Sequence, residues 1–500
     1  MDNVEVALDK SIPETGVGHK ELLDHLTELK KGDADYKNGK TFSLVYHISD
    51  EFDKFMAKAY NSFLFENYLN PMAFKSLKQM EVEVVRMAAN MFNGNDKTVG
   101  VMTSGGTESI LLACKSYRDR ARKKKPWIRT PEMLVSESVH VAFDKASKYF
   151  DLKFVRIPMR DDYRVDVKAL KKKINRNTVM IAVSAPQYPQ GVIDPIEEVG
   201  AIALKKGIPL HVDSCIGGFF LPFMEKIGRK VPLFDFRVPG VTSISADIHK
   251  FGYAPKGSSV LMYRDMEYMK HQFFVSTNWT GGIYASPCLP GSRPGGAISS
   301  AWAALHALGE DGFCDLVKKA MVVTDKYIEG LKKIPHVKVL GQPDMSLVAW
   351  TTEGVDLYAV ADHLQSKGWM VDRQQKPPSV HVTLTSNHEK IIDQWLEDIA
   401  DSVEYVKNHP ELESQGQAAM YGMMAKVPFK GLVKMSVMKL LEGMYGPTGK
   451  IPDLADPNAT GDDGIFGVVN KYGPKAMDVV KKIDDSTKEV RKSIRLPFKK

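Results

Sequence analysis

Lys250 closes the run Ser245-Ala-Asp-Ile-His-Lys250, which follows an apolar stretch with the character of a β-strand. A lysine at the carboxyl end of a strand, directly after a histidine, is placed to form a Schiff base with an aldehyde cofactor. An isolated His-Lys pair is most often a surface feature, but three further elements change that reading. The first is Thr103-Ser-Gly-Gly-Thr-Glu-Ser109, between a strand and a helix. Gly105 and Gly106 allow close backbone approach, and the helix start at Thr107 offers free N–H groups to a phosphate. No G-x-x-x-x-G-K-[ST] is present, which argues against nucleoside triphosphate chemistry. The second is Asp213, ending the apolar strand of His211-Val-Asp213. A carboxylate there is costly unless paired, and a protonated pyridine nitrogen would pair with it and keep the ring electron-withdrawing. The third is His140, after a strand and before a helix, whose flat ring can stack on a cofactor and act as an acid or base near the reacting carbon.

These residues need a scaffold that brings strand ends together. From Val99 onward, short apolar strands alternate with helices: Val99–Met102, Met133–Val135, Phe154–Ile157, Val179–Val183, Leu210–Val212, Thr242–Ser245 and Ser259–Tyr263. Helices are predicted at Ser109–Lys123, Val167–Ile174 and Pro195–Lys206. This alternation predicts an α/β fold with a mostly parallel, buried seven-stranded sheet. In such sheets, ligands collect at the carboxyl ends of the strands. Residues 1–95 have a mainly helical pattern, and 96–309 form the large sheet domain. A small C-terminal α+β domain is expected over 310–410, with strands at His336–Leu340, Leu347–Thr351 and His381–Leu384. A Met-rich helical extension and a Pro/Gly/Asp-rich, then Lys-rich tail fill 411–500.

Composition sets outer bounds. The chain has 500 residues, 43% hydrophobic and 26% charged, in the range of globular proteins. The net charge of +7 comes from 68 bases against 61 acids. Basic runs at Arg118–Lys125 and Lys171–Lys173 have neither stacking aromatics nor zinc spacing beside them, so no nucleic-acid partner is expected. A basic surface would suit an anionic substrate or peripheral contact with an anionic membrane. Four scattered cysteines without a C-x-x-C pair predict a reducing, cytoplasmic setting and no metal site. The first thirty residues have no apolar signal-peptide core, and no window of eighteen apolar residues predicts a transmembrane segment.

The order phosphate loop, stacking ring, carboxylate, lysine resembles that of fold-type I pyridoxal-phosphate enzymes of the group II decarboxylase superfamily. More narrowly, residues 12–445 resemble the sphingosine-1-phosphate lyase family, through TSGGTESILLACKSYRD (103–119), GVIDPIEEV (191–199), HVDSCIGGF (211–219), FDFRVPGVTSISADIHKFGYAPKGSS (234–259) and GGIYASPCLPGSRPGG (281–296). The resemblance implies the aspartate-aminotransferase-like fold and pyridoxal 5'-phosphate as cofactor. Lys250 would hold it, Asp213 would face its ring nitrogen and His140 would stack on it. Gly105, Gly106 and Thr107 would cradle its phosphate, with His249 beside it. Gly291 and Ser292 would reach that phosphate from a partner subunit, which makes an obligate homodimer, with 1–95 completing the site. Lys256, Tyr46 and Tyr284 would surround the substrate's phosphate or its reacting carbons.

Two positions depart from the family pattern. Asn70 stands where N-x-L-H-P has histidine, and so can donate a hydrogen bond to substrate phosphate but cannot carry charge or shuttle a proton. Ile248 stands where threonine is usual. The implied reaction is retro-aldol cleavage of the C2–C3 bond of a phosphorylated long-chain base, giving a fatty aldehyde and phosphoethanolamine. The C3 base is left open among substrate phosphate, Lys256 and His140. Neighbouring cations are expected to lower the pKa of Lys250. The alternative reading is an L-amino-acid decarboxylase on the same scaffold. The second lysine, Lys256, favours a phosphate handle over a carboxylate.

Overall fold

A computed structural model describes residues 11–414, 418 and 430–447. Its main sheet has seven strands: β1 Val99–Thr103, β2 Glu132–Ser136, β3 Lys153–Ile157, β4 Thr178–Ser184, β5 Leu210–Asp213, β6 Val241–Ala246 and β7 Ser259–Tyr263, in the order β1-β7-β6-β5-β4-β2-β3. Only β7 runs against its neighbours in this sheet.

β2, β4 and β6 are buried along their whole length, and β2 and β4 accordingly carry consecutive apolar residues, Met133–Val135 and Val179–Val183. Strict alternation sends side chains to two cores. Leu134, Ile181, Val183, Val260 and Met262 join one. Met133, Val135, Met180, Ala182, Leu261 and Tyr263 join the other. The first core is covered by the helices Lys75–Met91 and Ile196–Lys206, which contribute Leu77, Val84, Val199 and Ala203. The second is covered by Gly106–Lys124 and Ala142–Phe150.

Register lines up the chemistry. Ser184 of β4 pairs with Asp213, and Asp213 with Ser245 of β6. Thr103 of β1 pairs with Ser259 of the reversed β7. The carboxyl ends of β1, β5 and β6 and the start of β7 therefore share one edge.

The seven predicted strands and the helices between them are all present. A long helix, Gly295–Leu331, breaks its regular path at Gly309, where φ is 58°. A glycine is needed there, since a side chain strains that backbone region. A smaller sheet has the order β10-β11-β13-β12, formed by Val337–Val339, Leu347–Thr352, Pro378–Thr383 and Asp372–Gln375. The hairpin β8 Phe274–Trp279 and β9 Gly282–Ser286 completes the strands. Backbone proximity groups Asp35–Thr351 with His381–Leu396 in one unit, and the described parts of Met1–Ala34, Thr352–Val380 and Glu397–Lys500 in another. Every candidate site residue lies in the first unit. Of the Met-rich extension, Lys430–Met444 is a helix, while 420–429 and the tail beyond 447 lie outside the described residues. No helix among the described residues is long and apolar enough to cross a membrane.

Candidate active site

The glycine loop joins β1 to the helix Gly106–Lys124 (α4, counting the helices His19–Leu29, Asp50–Asn61 and Lys75–Met91 as α1–α3). The first amides of α4 lack intrahelical partners and face the sheet edge. Gly106 has no room for a side chain: a Cβ would lie 2.6 Å from Cys215 Sγ and 2.9 Å from Asp247 Oδ1. Gly105 is looser, with His249 Cε1 3.4 Å from the same hypothetical atom. Thr107 stands exposed on the first turn. Glu108 secures the loop, accepting from the Ser104 N–H and hydroxyl at 2.7 Å each and from the Leu289 N–H at 2.9 Å.

Asp213, at the end of β5, is 7% exposed. Its Oδ1 accepts from the Cys215 N–H at 3.1 Å and the Ser245 hydroxyl at 3.4 Å, while Oδ2 finds no partner among the described residues. A strand-end carboxylate with one oxygen left open to the site suits a protonated ring nitrogen. Beneath it, His211 is fully buried between Ser243 and Ser245, at 2.7 and 3.2 Å. Burial pulls its pKa down to about 4, so it is a neutral spacer in the sheet.

Residues 247–258 connect β6 to β7 without crossing the sheet, because β7 is antiparallel to β6. Both ends of this loop stay on the site edge and concentrate its charges there. Asp247 Oδ2 lies 2.9 Å from Lys250 Nζ and 3.7 Å from His249 Nε2. His249 Nδ1 accepts from the Ser258 N–H at 3.3 Å, which assigns a neutral ring's proton to Nε2. Lys256 Nζ donates to the His249 carbonyl at 3.0 Å and lies 5.1 Å from the centroid of the Tyr46 ring. Tyr46 also meets Phe251 edge-on at 4.9 Å. Tyr46, His249 and Lys256 line a cleft of about 440 Å³ with Tyr36, Met56 and Tyr60.

The electrostatics correct one expectation. Burial by itself lowers the pKa of Lys250, but Asp247, with smaller contributions from Cys215 and Tyr46, outweighs it and carries the amine well above the ordinary lysine range. The neighbouring cations do not set its charge. Lys256 behaves as expected of a crowded cation: burial first, then repulsion from Lys250, pushes it down to about 8.

A second group forms around the segment after β9. Asn67 Nδ2 donates to Ser292 Oγ at 2.9 Å, and its Oδ1 accepts from the Arg293 N–H at 3.3 Å. The Tyr284 hydroxyl sits against Gly291, 2.7 Å from where a Cβ would be. Glu81, buried, accepts from Arg293 at 2.8 Å, the Tyr68 hydroxyl at 3.0 Å and the Met102 N–H at 3.2 Å.

The structure thus brings Lys250, His249, Lys256, Tyr46, Gly105 and Gly106 together, with Asp213 on the adjoining strand end. It places Tyr284, Gly291 and Ser292 in the separate Asn67 group. His140 is exposed on the same sheet edge, its Nδ1 accepting from the Ala142 N–H at 3.2 Å. Asn70 is turned into a local turn, its Oδ1 accepting from the Met72 N–H at 2.9 Å, and none of its hydrogen bonds reaches Lys256 or Tyr46. Sequence reasoning passed over Asp247, Asn67 and Glu81. Asp247 carried a usable signal, the same strand-end carboxylate pattern that picked out Asp213.

A lysine, an unpartnered carboxylate oxygen and a glycine-lined helix start along one edge of a largely parallel sheet define a pyridoxal-phosphate enzyme of fold type I, and residues 45–353 match the pyridoxal-dependent decarboxylase conserved domain. The chain belongs, within that family, to the sphingosine-1-phosphate lyases. It is 43% identical over 440 residues to sphingosine-1-phosphate lyase 1 of Rattus norvegicus, covering 87% of this chain and 77% of that one. It is 44% identical over 443 residues to the lyase of Oryza sativa, covering 87% and 82%. Among solved structures, the sphingosine-1-phosphate lyase of Burkholderia pseudomallei superposes with a TM-score of 0.78 at 36% identity, over 81% of this chain and 95% of that one. Lactobacillus brevis glutamate decarboxylase, at 20% identity and a TM-score of 0.69 over 80% and 96%, shares the fold.

Proposed function

We propose that this chain cleaves the C2–C3 bond of sphingosine 1-phosphate or a related phosphorylated long-chain base, releasing a fatty aldehyde and phosphoethanolamine. The observation that carries the reading is Lys256, a second cation in the cleft beside Lys250, positioned on Tyr46 and the His249 carbonyl. An amino-acid decarboxylase needs one carboxylate anchor and gains little from it, whereas a phosphate dianion favours an added cation.

The residues fit pyridoxal phosphate. The amides at the start of α4 and His249 would hold its phosphate, Asp213 Oδ2 its ring nitrogen and Lys250 its carbonyl carbon. When bound, the cofactor supplies a ring that accepts the electron pair left on carbon as the C–C bond breaks. The protein's own work is orientation and proton placement. Asp213 would keep a proton on the ring nitrogen. Lys256 and Tyr46 would hold the substrate's phosphate, and His140, exposed on the same sheet edge, would face the cofactor. The C3 hydroxyl proton goes to substrate phosphate, Lys256 or His140. Incubation with pyridoxal phosphate and sphingosine 1-phosphate is expected to release fatty aldehyde. Carbon dioxide from amino acids, with no aldehyde, would instead establish the decarboxylase.

The Lys256 pKa of about 8 makes phosphate binding pH-dependent. Below that value the amine is charged and attracts an anion; above it the attraction is lost. Sulfate, dianionic throughout, is therefore expected to inhibit competitively near neutrality. Its inhibition constant should weaken by up to about tenfold per pH unit above the transition. Lys256→Met should flatten the profile, and a steep profile in that variant would assign the titration elsewhere.

The Tyr284–Gly291–Ser292 group supports a homodimer in which that segment completes the partner's phosphate site. Exposed Leu69, Trp279, Ile283 and Leu289 beside it would be covered by such contact. Sedimentation of the cofactor-loaded protein tests this, a monomer counting against it. The four free cysteines support a reducing, cytoplasmic setting, which fractionation of the source cells would check.

A further inference from the structure

Asp247 is the first residue past β6 and is 2% exposed. A carboxylate buried this deeply needs partners in fixed places. Ser259 donates its hydroxyl to Oδ1 at 2.6 Å, and Lys250 Nζ lies 2.9 Å from Oδ2. Behind Ser259, a buried hydroxyl chain runs to Ser109 at 3.3 Å and on to Thr103 at 2.7 Å. The remaining flank rests on Gly106, where a methyl would come 2.9 and 3.0 Å from the two carboxylate oxygens. The carboxylate is held on every side that could rotate it away from Lys250.

We propose that Asp247 is the counter-ion that keeps Lys250 an ammonium whenever this lysine is not joined to the cofactor, and that it sets the pH at which Lys250 captures an aldehyde. The inference rests on the reading of Lys250 as the carbonyl-binding lysine. Asp247 acts through that lysine and is a positioning residue.

Capture forms a C=N bond: the neutral amine adds to the aldehyde carbon, and the carbonyl oxygen leaves as water with the amine's two hydrogens. An ammonium has no lone pair to add, so its third proton must first pass to solvent. The groups facing Lys250 are Asp247, Cys215, Tyr46, His249 and Lys256, with Asp213 acting across Cys215. Burial and repulsion from Lys256 favour the neutral amine. Asp247 is the carboxylate in ion-pair contact, and its charge wins: Lys250 is raised, and Asp247 itself, despite burial, is lowered by Lys250 and His249.

The experiment uses the cofactor-stripped full chain. Pyridoxal phosphate is added, and the rise of the lysine-linked absorbance is followed by stopped flow from mildly acidic to strongly alkaline pH. In the wild type, the midpoint of the rate profile is expected above the free-lysine value of about 10.4. Asp247→Asn retains an oxygen for Ser259 but carries no charge. Its midpoint should fall by at least about one unit, giving capture about tenfold faster at neutral pH. Asp247→Glu should restore a high midpoint. Pyridoxine phosphate, which has no aldehyde, is titrated alongside. A purely structural role would weaken that analogue and leave the midpoint in place, overturning the proposal. A wild-type midpoint near neutrality overturns it without any variant. Lys250→Ala separates the two readings. If Lys250→Ala still develops the lysine-linked absorbance, the assignment of Lys250 fails and this inference with it. If capture is lost in Lys250→Ala but the midpoint is unmoved by Asp247→Asn, this inference alone fails.

Discussion

Lys250→Ala should leave a folded protein that lacks the lysine-linked absorbance and releases no fatty aldehyde, with activity down by about three orders of magnitude or more. The fold itself should tolerate the change, since the Lys250 side chain is 27% exposed on a loop whose ends are fixed by the pairing of β6 with β7. Lys256 is the nearest substitute, and it is occupied with the His249 carbonyl and the Tyr46 face. The phosphate-binding amides and Asp213 remain in Lys250→Ala, so it should still hold pyridoxal phosphate but lose it on dialysis. Borohydride reduction followed by peptide mass analysis gives the check. The wild type should carry the reduced cofactor on Lys250 and the variant nowhere. A label on Lys256, with aldehyde still released, would move the catalytic assignment to that residue.

Glu81→Ala is the second large effect, and it acts from outside the cleft. Glu81 ties together three segments: Tyr68 beside Asn67, Met102 at the approach to the glycine loop, and Arg293 next to Ser292. The Arg293 side chain is 11% exposed, paired with Glu81 and set 4.5 Å from the Tyr68 ring. Burial lowers its pKa, and the Glu81 carboxylate more than restores it. Removing the carboxylate leaves a buried cation and two buried donors without their acceptor, a change that typically costs about 3–5 kcal/mol. Denaturant unfolding of the cofactor-free protein should show a loss of that size. Glu81→Leu combined with Arg293→Met should recover part of it, because the uncompensated charge is gone. Additive losses in the double variant would show that the two residues act independently.

The legible parts of this molecule were those written in local pattern. All seven strands of the main sheet were readable, most easily β2, β4 and β7, which are buried along their length and carry consecutive apolar residues, while the edge strand β3 keeps Lys153 and Arg156 exposed. The β8–β9 hairpin was not, because Phe274, Val275, Trp279 and Ile283 are exposed and their hydrophobicity answers to no core within the chain. Lys250, Asp213 and the Gly105–Gly106 turn were readable because each breaks an apolar strand end with a residue that needs a reason to be there. Glu81 was not, since its partner Arg293 is 212 positions away and nothing local to either announces the other. Asn70 takes its expected role as a phosphate donor from its place in a motif, and in the structure its Oδ1 accepts from the Met72 N–H. The charge on Lys250 is not legible from the cations around it, because the carboxylate three residues earlier, 2.9 Å away, decides it.

The reversed direction of β7 has a consequence for how the molecule acquires its shape. A parallel neighbour for β6 would require the chain to return across the whole sheet before pairing, usually through a helix. Here residues 247–258 turn back directly, and Ala246 meets Val260 in the ladder. Closing so short a loop costs little chain entropy, and ladders of low sequence separation can assemble before distant ones. On this topology, the lysine loop belongs to the part of the chain able to form early. Asp213 and the glycine turn reach it only through longer crossovers.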